Sequence, residues 1–429
     1  MQKKWMIAGA SVLVVAGAMP WIVGFVTEQQ WQQATQEVNR SQPFVRMETG
    51  DYRRGVLGSE LTGSLVVQNP DTGESHHFDY RARVSHGVTG SLLDFQPVGG
   101  WSPEGTDWFP ESQPRLTLET RLWGTATVEL EAPTMTMTND TTGESLSTSG
   151  GLARVEISDA GSRAEALMVW PALSLSGPEV DIRIADIHLE QNMEHLVGDV
   201  WTGAGELDVG SMVVTPEADE PVNFRDFSMT TTTEANPDRT RIDSTVTIEL
   251  EEIVRADRGY GPHRVEFALE GLDVASWSSL TEGMSDLQSM VVQAGPSGGP
   301  EPERQLAAME QVNKALRDLA AAGFSVGFPA LSLSTPEGAV TGHAMIRHPE
   351  LSAEDKAGML MVMQRLTGEM NLSVPSALAE KYPEVRLQLA PLVKQGLLIQ
   401  DGDQLVMQGV MKDLMVDVNG MEIPLPPLL

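Results

Sequence analysis

Five residues, Gly295-Pro296-Ser297-Gly298-Gly299, match the G-x-S-x-G pattern that presents a nucleophilic serine. That chemistry needs a helix starting at the serine and a parallel α/β sheet around it. Here Pro300 and Pro302 follow and the chain shows no βαβ rhythm, so residues 295–302 read as a Gly/Pro linker. The histidines (His76, His77, His86, His188, His195, His263, His343 and His348) form no H-E-x-x-H and no metal-site spacing. Segments 69–75 and 139–145 are near copies, Asn-Pro-Asp-Thr-Gly-Glu-Ser and Asn-Asp-Thr-Thr-Gly-Glu-Ser. They lack the acidic spacing of a calcium loop and read as hairpin loops, with Gly73 and Gly143 suited to positive φ. No Gly-rich phosphate cradle follows a strand. No catalytic, cofactor-binding or metal-ligating residue is assigned, and no cofactor is expected.

Bulk composition narrows the classes further. The 429 residues carry a net charge of −31, with 41% hydrophobic and 21% charged residues, so most of the chain folds. Such an acidic body is repelled by phosphate backbones and anionic head groups, which argues against nucleic acid as a partner. There is no cysteine, which removes disulfides, thiolate chemistry and a lipoprotein-type attachment.

Lys3 and Lys4 precede an uncharged run, residues 5–26, that ends before Glu28. As a helix it spans roughly 30 Å, the thickness of the hydrocarbon core. Trp5 and Trp21 stand near its ends, where interfacial aromatics belong. The expectation is a retained single-pass anchor with residues 1–4 in the cytoplasm and the body in the periplasm. The alternative is a signal peptide cleaved after Ala18, at Ala16-Gly17-Ala18. Residues 27–43 are polar and Gln-rich and read as a helical stalk that ends at Pro43.

Beyond the stalk, β signals dominate. Segments 61–68, 76–84, 116–122, 125–131, 180–189 and 240–250 alternate or are rich in β-branched residues. Within 180–189 the alternation slips at Ala185-Asp186, which suggests a bulge. Residues 303–322 repeat apolar positions at helical spacing, and Gly323 is a natural stop. Segments 276–292 and 353–366 are weaker helical candidates. Pro171-Ala-Leu-Ser-Leu-Ser-Gly-Pro-Glu179 recurs as Pro329-Ala-Leu-Ser-Leu-Ser-Thr-Pro-Glu337, and Gly205-Glu-Leu-Asp-Val209 is echoed by Gly368-Glu-Met-Asn-Leu372. Repetition in one order points to two copies of a β module. The expected fold is mainly β (α+β): large antiparallel sheets, internally duplicated, behind the N-terminal helix. The expected divisions are a first β region over 44–165, a second module over 166–294, and a helix with a third module over 303–429.

The anchor followed by Tyr52, Gly55 and Ser59, the His86-Gly87 step, Gly396-Leu397 and Asn419-Gly420 resemble the YdgA/YihF-like family of uncharacterised bacterial inner-membrane proteins. Val88 stands where proline is common in that family. The resemblance implies a periplasm-facing body and supplies no catalytic residues. A more distant likeness to AsmA-type envelope proteins implies a role with lipid by analogy of architecture. Physically, the glycines suit turns, and Asn419-Gly420 suits a two-residue hairpin.

The first functional reading is a non-enzymatic, membrane-anchored envelope β scaffold whose apolar strand faces form a groove for lipid or another amphiphile. Those faces packing on each other as ordinary core is the plain alternative. The second reading is an interaction module that pairs with envelope proteins, or with a second copy, through sheet edges. A hydrolase is the third.

Overall fold

A computed structural model describes residues 2–41, 44–69, 74–103, 105–294, 302–352 and 365–425, with the backbone alone at residues 2–18, 37, 40, 41, 289, 291–294 and 302. The side chains of Lys3, Lys4 and Trp5 lie outside the described residues. So do the serine-containing match at 295–299, nearly all of the linker, residues 70–73 of the first near-copy loop, and residues 353–364 of the weak helical segment. The fold is mainly β. Among the described residues, 23 strands form one large sheet, antiparallel wherever a register is described; its strands divide between two compact units, and the part in each unit is called the first and the second sheet below.

The first unit holds helix α1 (Gln2–Ser41) and a meander: β1 (Val45–Arg54), β2 (Gly58–Gln68), β3 (Ser75–His86), β4 (Gly90–Pro97), β5 (Arg115–Arg121) and β6 (Ala126–Ala132). β6 then pairs with β9 (Gly151–Ser158), which pairs with β10 (Arg163–Ser176). The skipped β7 (Met135–Asn139) and β8 (Glu144–Thr148) form a hairpin of their own. Its loop is the second near-copy segment: Gly143 has φ +73°, and Asn139 Oδ1 accepts the amide of Thr141 at 3.0 Å.

Alternation sets the buried face of this sheet. On β3, Ala82, Val84 and His86 are buried while Arg81, Arg83 and Ser85 are exposed. Leu61, Ala82, Val84 and Leu93 form a cluster under Trp31 of α1. The Trp31 ring centroid is 5.6 Å from Phe95 and 6.4 Å from Tyr80. Burial pushes the Tyr80 phenol up to about 12.

Residues 27–43 read in the sequence as a polar helical stalk, and the structure adds where one of its faces packs. The segment is helical to Ser41, but Val23, Thr27, Trp31 and Thr35 repeat every fourth residue and are buried. Asn39 then clamps the first strand: its amide nitrogen donates to the Met47 carbonyl at 2.8 Å, and its oxygen accepts the Met47 amide at 2.6 Å. Among the described residues, no helix is long and apolar enough to cross a membrane.

In the second unit, β12 (Val200–Pro216), β13 (Val222–Ala235), β14 (Arg241–Arg255), β16 (His263–Asp273), β17 (Phe324–Thr335), β18 (Gly338–His348), β19 (Thr367–Pro375) and β21 (Gln404–Lys412) pair in that order. β22 (Met415–Val418) and β23 (Met421–Pro424) continue from β21. Asp186, within the continuous strand β11 (Val180–Val197), takes φ +58° where the alternation slips. The repeated segments fall at corresponding places: the ends of β10 and β17 with the turns that follow, and then β12 and β19.

Helices cover the two ends of one face of this sheet. From the parts of α2 (Val274–Ala294) and α3 (Pro302–Ala322) that lie in this unit, residues 274–283 and 309–322, Val274, Trp277 and Leu319 pack on Ile242, Leu272 and Phe324. At the other end, Ser376–Lys381 and Pro383–Lys394 pack Leu378, Leu389 and Leu392 on Val374 and Leu405. Arg241 fastens the end of α3. Its guanidinium donates to the carbonyls of Ala322 (2.7 Å), Gly323 (3.0 Å) and Gly271 (2.7 Å). Gly323 closes the helix at φ +83°, where an added Cβ would stand 2.7 Å from the Glu350 amide.

Candidate functional site

Five of the motif residues, Tyr52, Gly55, Ser59, His86 and Gly87, lie at one end of the first sheet. His86 is the centre of a buried polar chain. Ser59 Oγ is 2.7 Å from its Nε2, and Ser91 Oγ is 2.8 Å from its Nδ1. Thr27 Oγ1 of α1 stands 2.7 Å from Ser91 Oγ and 2.9 Å from the Val23 carbonyl, so its one proton serves one of them at a time. Thr120 closes the chain at 3.4 Å from Thr27. The Tyr52 hydroxyl is buried beside Ser59 without a well-formed hydrogen bond, and burial raises its phenol above the usual value. Gly24 lets the helix approach, because a Cβ there would stand 2.8 Å from His86 Nε2.

A serine and a histidine at 2.7 Å resemble a nucleophile with its base. In this cluster, however, the second ring nitrogen meets a hydroxyl, no carboxylate orients the ring, and α1 covers both side chains. The arrangement is a lock between the helix and the sheet. Sequence reasoning found Ser59 and His86 but missed Gly24, Thr27, Ser91 and Thr120, which come from separate elements. The spacing of Gly24, Thr27 and Trp31 was the available signal.

Burial, then the positive charge of Arg54, hold the His86 imidazole below its usual pKa of 6.5. Above that value His86 is neutral folded and unfolded, and the lock contributes its full stability. As pH falls through about 6.5, the unfolded chain takes up a proton that the fold resists, so stability declines. The expected result is a fall in the thermal midpoint of the full chain between about pH 6.5 and 5, shallower in His86→Asn. Equal slopes in the two proteins would contradict it.

The C-terminal motif forms a second structural knot. Gly396 (φ +76°) follows the helix Pro383–Lys394, and Asn419 and Gly420 turn β22 into β23, both at positive φ. Asn419 Nδ2 donates to the Leu397 and Val406 carbonyls at 2.9 and 3.0 Å, and its Oδ1 accepts the Gln408 amide at 3.0 Å. An open depression of about 580 Å³ in the second unit is lined by Arg241, Glu270, Arg347, His348 and Glu350. Its central cation, Arg241, is already committed to backbone carbonyls. Among the described residues no group of His, Asp and Glu could hold a metal ion.

A more extended feature crosses the second sheet. Leu207 faces Met229, which faces Ile248, which faces Val265. The row continues through Leu331, Gly342 and Leu372 to Met407. Beside it, Phe267 and Phe328 meet with ring centroids 5.3 Å apart. One residue over, the other face reads Asp208, Ser228, Glu249 and Arg264, then Ser332, Thr341 and Ser373. Met229, Ile248, Val265 and Leu331 belong to neither buried cluster under the helices, and Phe328 is 47% exposed.

An N-terminal helix locked to the first unit's part of the sheet, and a second unit with one apolar sheet face, define a β-rich protein organised around surfaces. A family model, "Bacterial protein of unknown function (DUF945)", matches residues 1–426, and the chain belongs to that family. No curated protein and no solved structure matches it.

Proposed function

We propose that this chain is a non-enzymatic envelope scaffold that holds acyl chains of lipid, or a similar amphiphile, along the apolar face of its second sheet. The carrying observation is the part of the row from Leu207 to Leu331 that the helices leave uncovered, in register across five strands and free of charge. Four strand spacings of about 4.8 Å make it roughly 19 Å long. Each leaflet contributes about half of a 30 Å hydrocarbon core, so the row accommodates an extended acyl chain. A face meant for water alternates polar residues instead, as the opposite face does.

The reading includes a retained N-terminal anchor over residues 5–26, with the N-terminus in the cytoplasm and the body in the periplasm. Its support is the charge and length pattern of the sequence. Likeness in motif to the YdgA/YihF-like proteins, and in architecture to AsmA-type proteins, points the same way by analogy. Native mass spectrometry of the protein extracted from membranes tests the ligand. The expected result is co-purifying lipid on the parent chain, released at lower collision energy from Ile248→Glu and Phe328→Glu. A lipid-free parent, or one that carries only a protein partner, would overturn the reading.

A further inference from the structure

Three hairpin turns at one end of the first sheet expose apolar side chains. Val56 and Leu57 (70% exposed) join β1 to β2, Val88 joins β3 to β4, and Trp123 (63% exposed) joins β5 to β6. In an antiparallel meander, alternate turns share one end. These three are also stitched together: His86 donates its amide to the Leu57 carbonyl at 2.9 Å, and Leu122 donates to the Thr89 carbonyl at 3.0 Å. Helix α1 adds Trp21, Ile22 and Phe25 to the same rim, all exposed. The Arg54 guanidinium, at the end of β1, lies 5.4 Å from both the Trp21 and Phe25 rings. Arg121 lies 5.8 Å from the Trp123 ring.

The direction of α1 says what this rim faces. Thr27 meets Ser91 and Thr120 beside the turns, Trp31 meets Thr49 farther along, and Asn39 meets Met47 near the start of β1. The chain before Met19 therefore leaves the sheet at the rim. Val23 and Gly24 already rest on the sheet, so only residues 5–19 of the uncharged run extend beyond it, roughly 22 Å of helix. A hydrocarbon core of about 30 Å is longer than that. The last turns of the run, and the hairpin tips beside them, must then sit in the membrane–water interface for the helix to span.

We infer that this rim is a bilayer-contact surface: Leu57, Val88, Trp123, Trp21 and Phe25 enter the interfacial layer and seat the first unit on the membrane. The inference rests on the anchor reading above. Each rim cation already has an acidic neighbour, Arg54 with Glu28 at 3.1 Å and Arg121 with Glu119. Together with the net charge of −31, this makes the seating apolar and aromatic, with no requirement for anionic lipid.

The chain has no native cysteine, so single cysteines carry an environment-sensitive fluorophore without background. The test places one at Leu57→Cys, Val88→Cys, Trp123→Cys, Val98→Cys or Ala10→Cys. The full chain is reconstituted in phosphatidylcholine vesicles, with and without phosphatidylglycerol. Labels at 57, 88 and 123 are expected to shift to the blue and to be quenched by nitroxides on the lipid, equally in both compositions. The label at 98, an exposed site outside the rim, stays unquenched. Tip labels that behave like 98 while the label at 10 lies in lipid would overturn the rim and leave the anchor standing. A label at 10 in water would overturn the anchor and the rim with it. A blue shift without lipid quenching would assign the rim to a second protein copy, and quenching only with phosphatidylglycerol would overturn the apolar account.

Discussion

Arg241→Ala is expected to destabilise the second unit by about 3 kcal/mol. The guanidinium supplies three charge-assisted bonds to carbonyls of Gly271, Ala322 and Gly323. Each such bond contributes about 1.5–3 kcal/mol, and removing the donor leaves helix-end acceptors short of partners. The side chain is partly open to water, so the total is well below the sum. Arg241→Lys recovers part of the loss, because an ammonium cannot fork between separate carbonyls. Hydrogen exchange of α3 and of the adjoining ends of β16 and β17 reads the effect locally. Unchanged protection there in Arg241→Ala would contradict the account.

Gly24→Leu is expected to release helix α1 from the first sheet. The new Cβ meets His86 Nε2 at 2.8 Å, and the ring cannot swing aside without breaking its bonds to Ser59 and Ser91. Overpacking of this kind costs about 1–3 kcal/mol, and the broken polar chain adds to it. Replacing glycine in a helix returns about 1 kcal/mol. The balance favours detachment, seen as faster proteolysis within residues 27–41. Pairing it with His86→Ala, which removes the obstructing ring, relieves part of the effect. Proteolysis at the parent rate in Gly24→Leu would contradict the lock.

Much of the local structure was legible because its causes are local. Strand alternation marks β3 and β14, and the slip at Ala185-Asp186 marks the residue that takes positive φ. The helix over 302–322 and its stop at Gly323 follow from apolar spacing and glycine chemistry. The docking of α1 was obscured by its chemistry. Thr27 and Thr35 are polar, yet they fill a buried stripe with Val23 and Trp31. Thr27 is tolerated there because its hydroxyl finds the Val23 carbonyl and Ser91. The Gln-rich face gives the sequence its reading as a polar helical stalk and carries no sign of the packed face.

What the sequence could not supply is register. The Tyr52, Ser59 and His86 motif is spread over three strands, and its partners Ser91 and Thr120 lie on two more. Likewise, apolar alternation in each strand of the second unit is compatible with an ordinary core. Only the pairing of Met229 with Ile248, and of Val265 with Leu331, aligns those residues into one continuous row. The match at 295–299 lies outside the described residues, and the element described before it is helix α2, not the strand that such a pattern requires.

The claim that the second sheet holds an acyl chain is tested most directly by photo-crosslinking on its two faces. A benzophenone amino acid is placed at Ile248 or Phe328 on the apolar face, and at Glu249 or Thr341 on the polar face, in the full chain in its native membrane. The account predicts adducts of lipid mass at 248 and 328 and none at 249 and 341. Adducts on both faces alike, or none at 248 and 328, would contradict it.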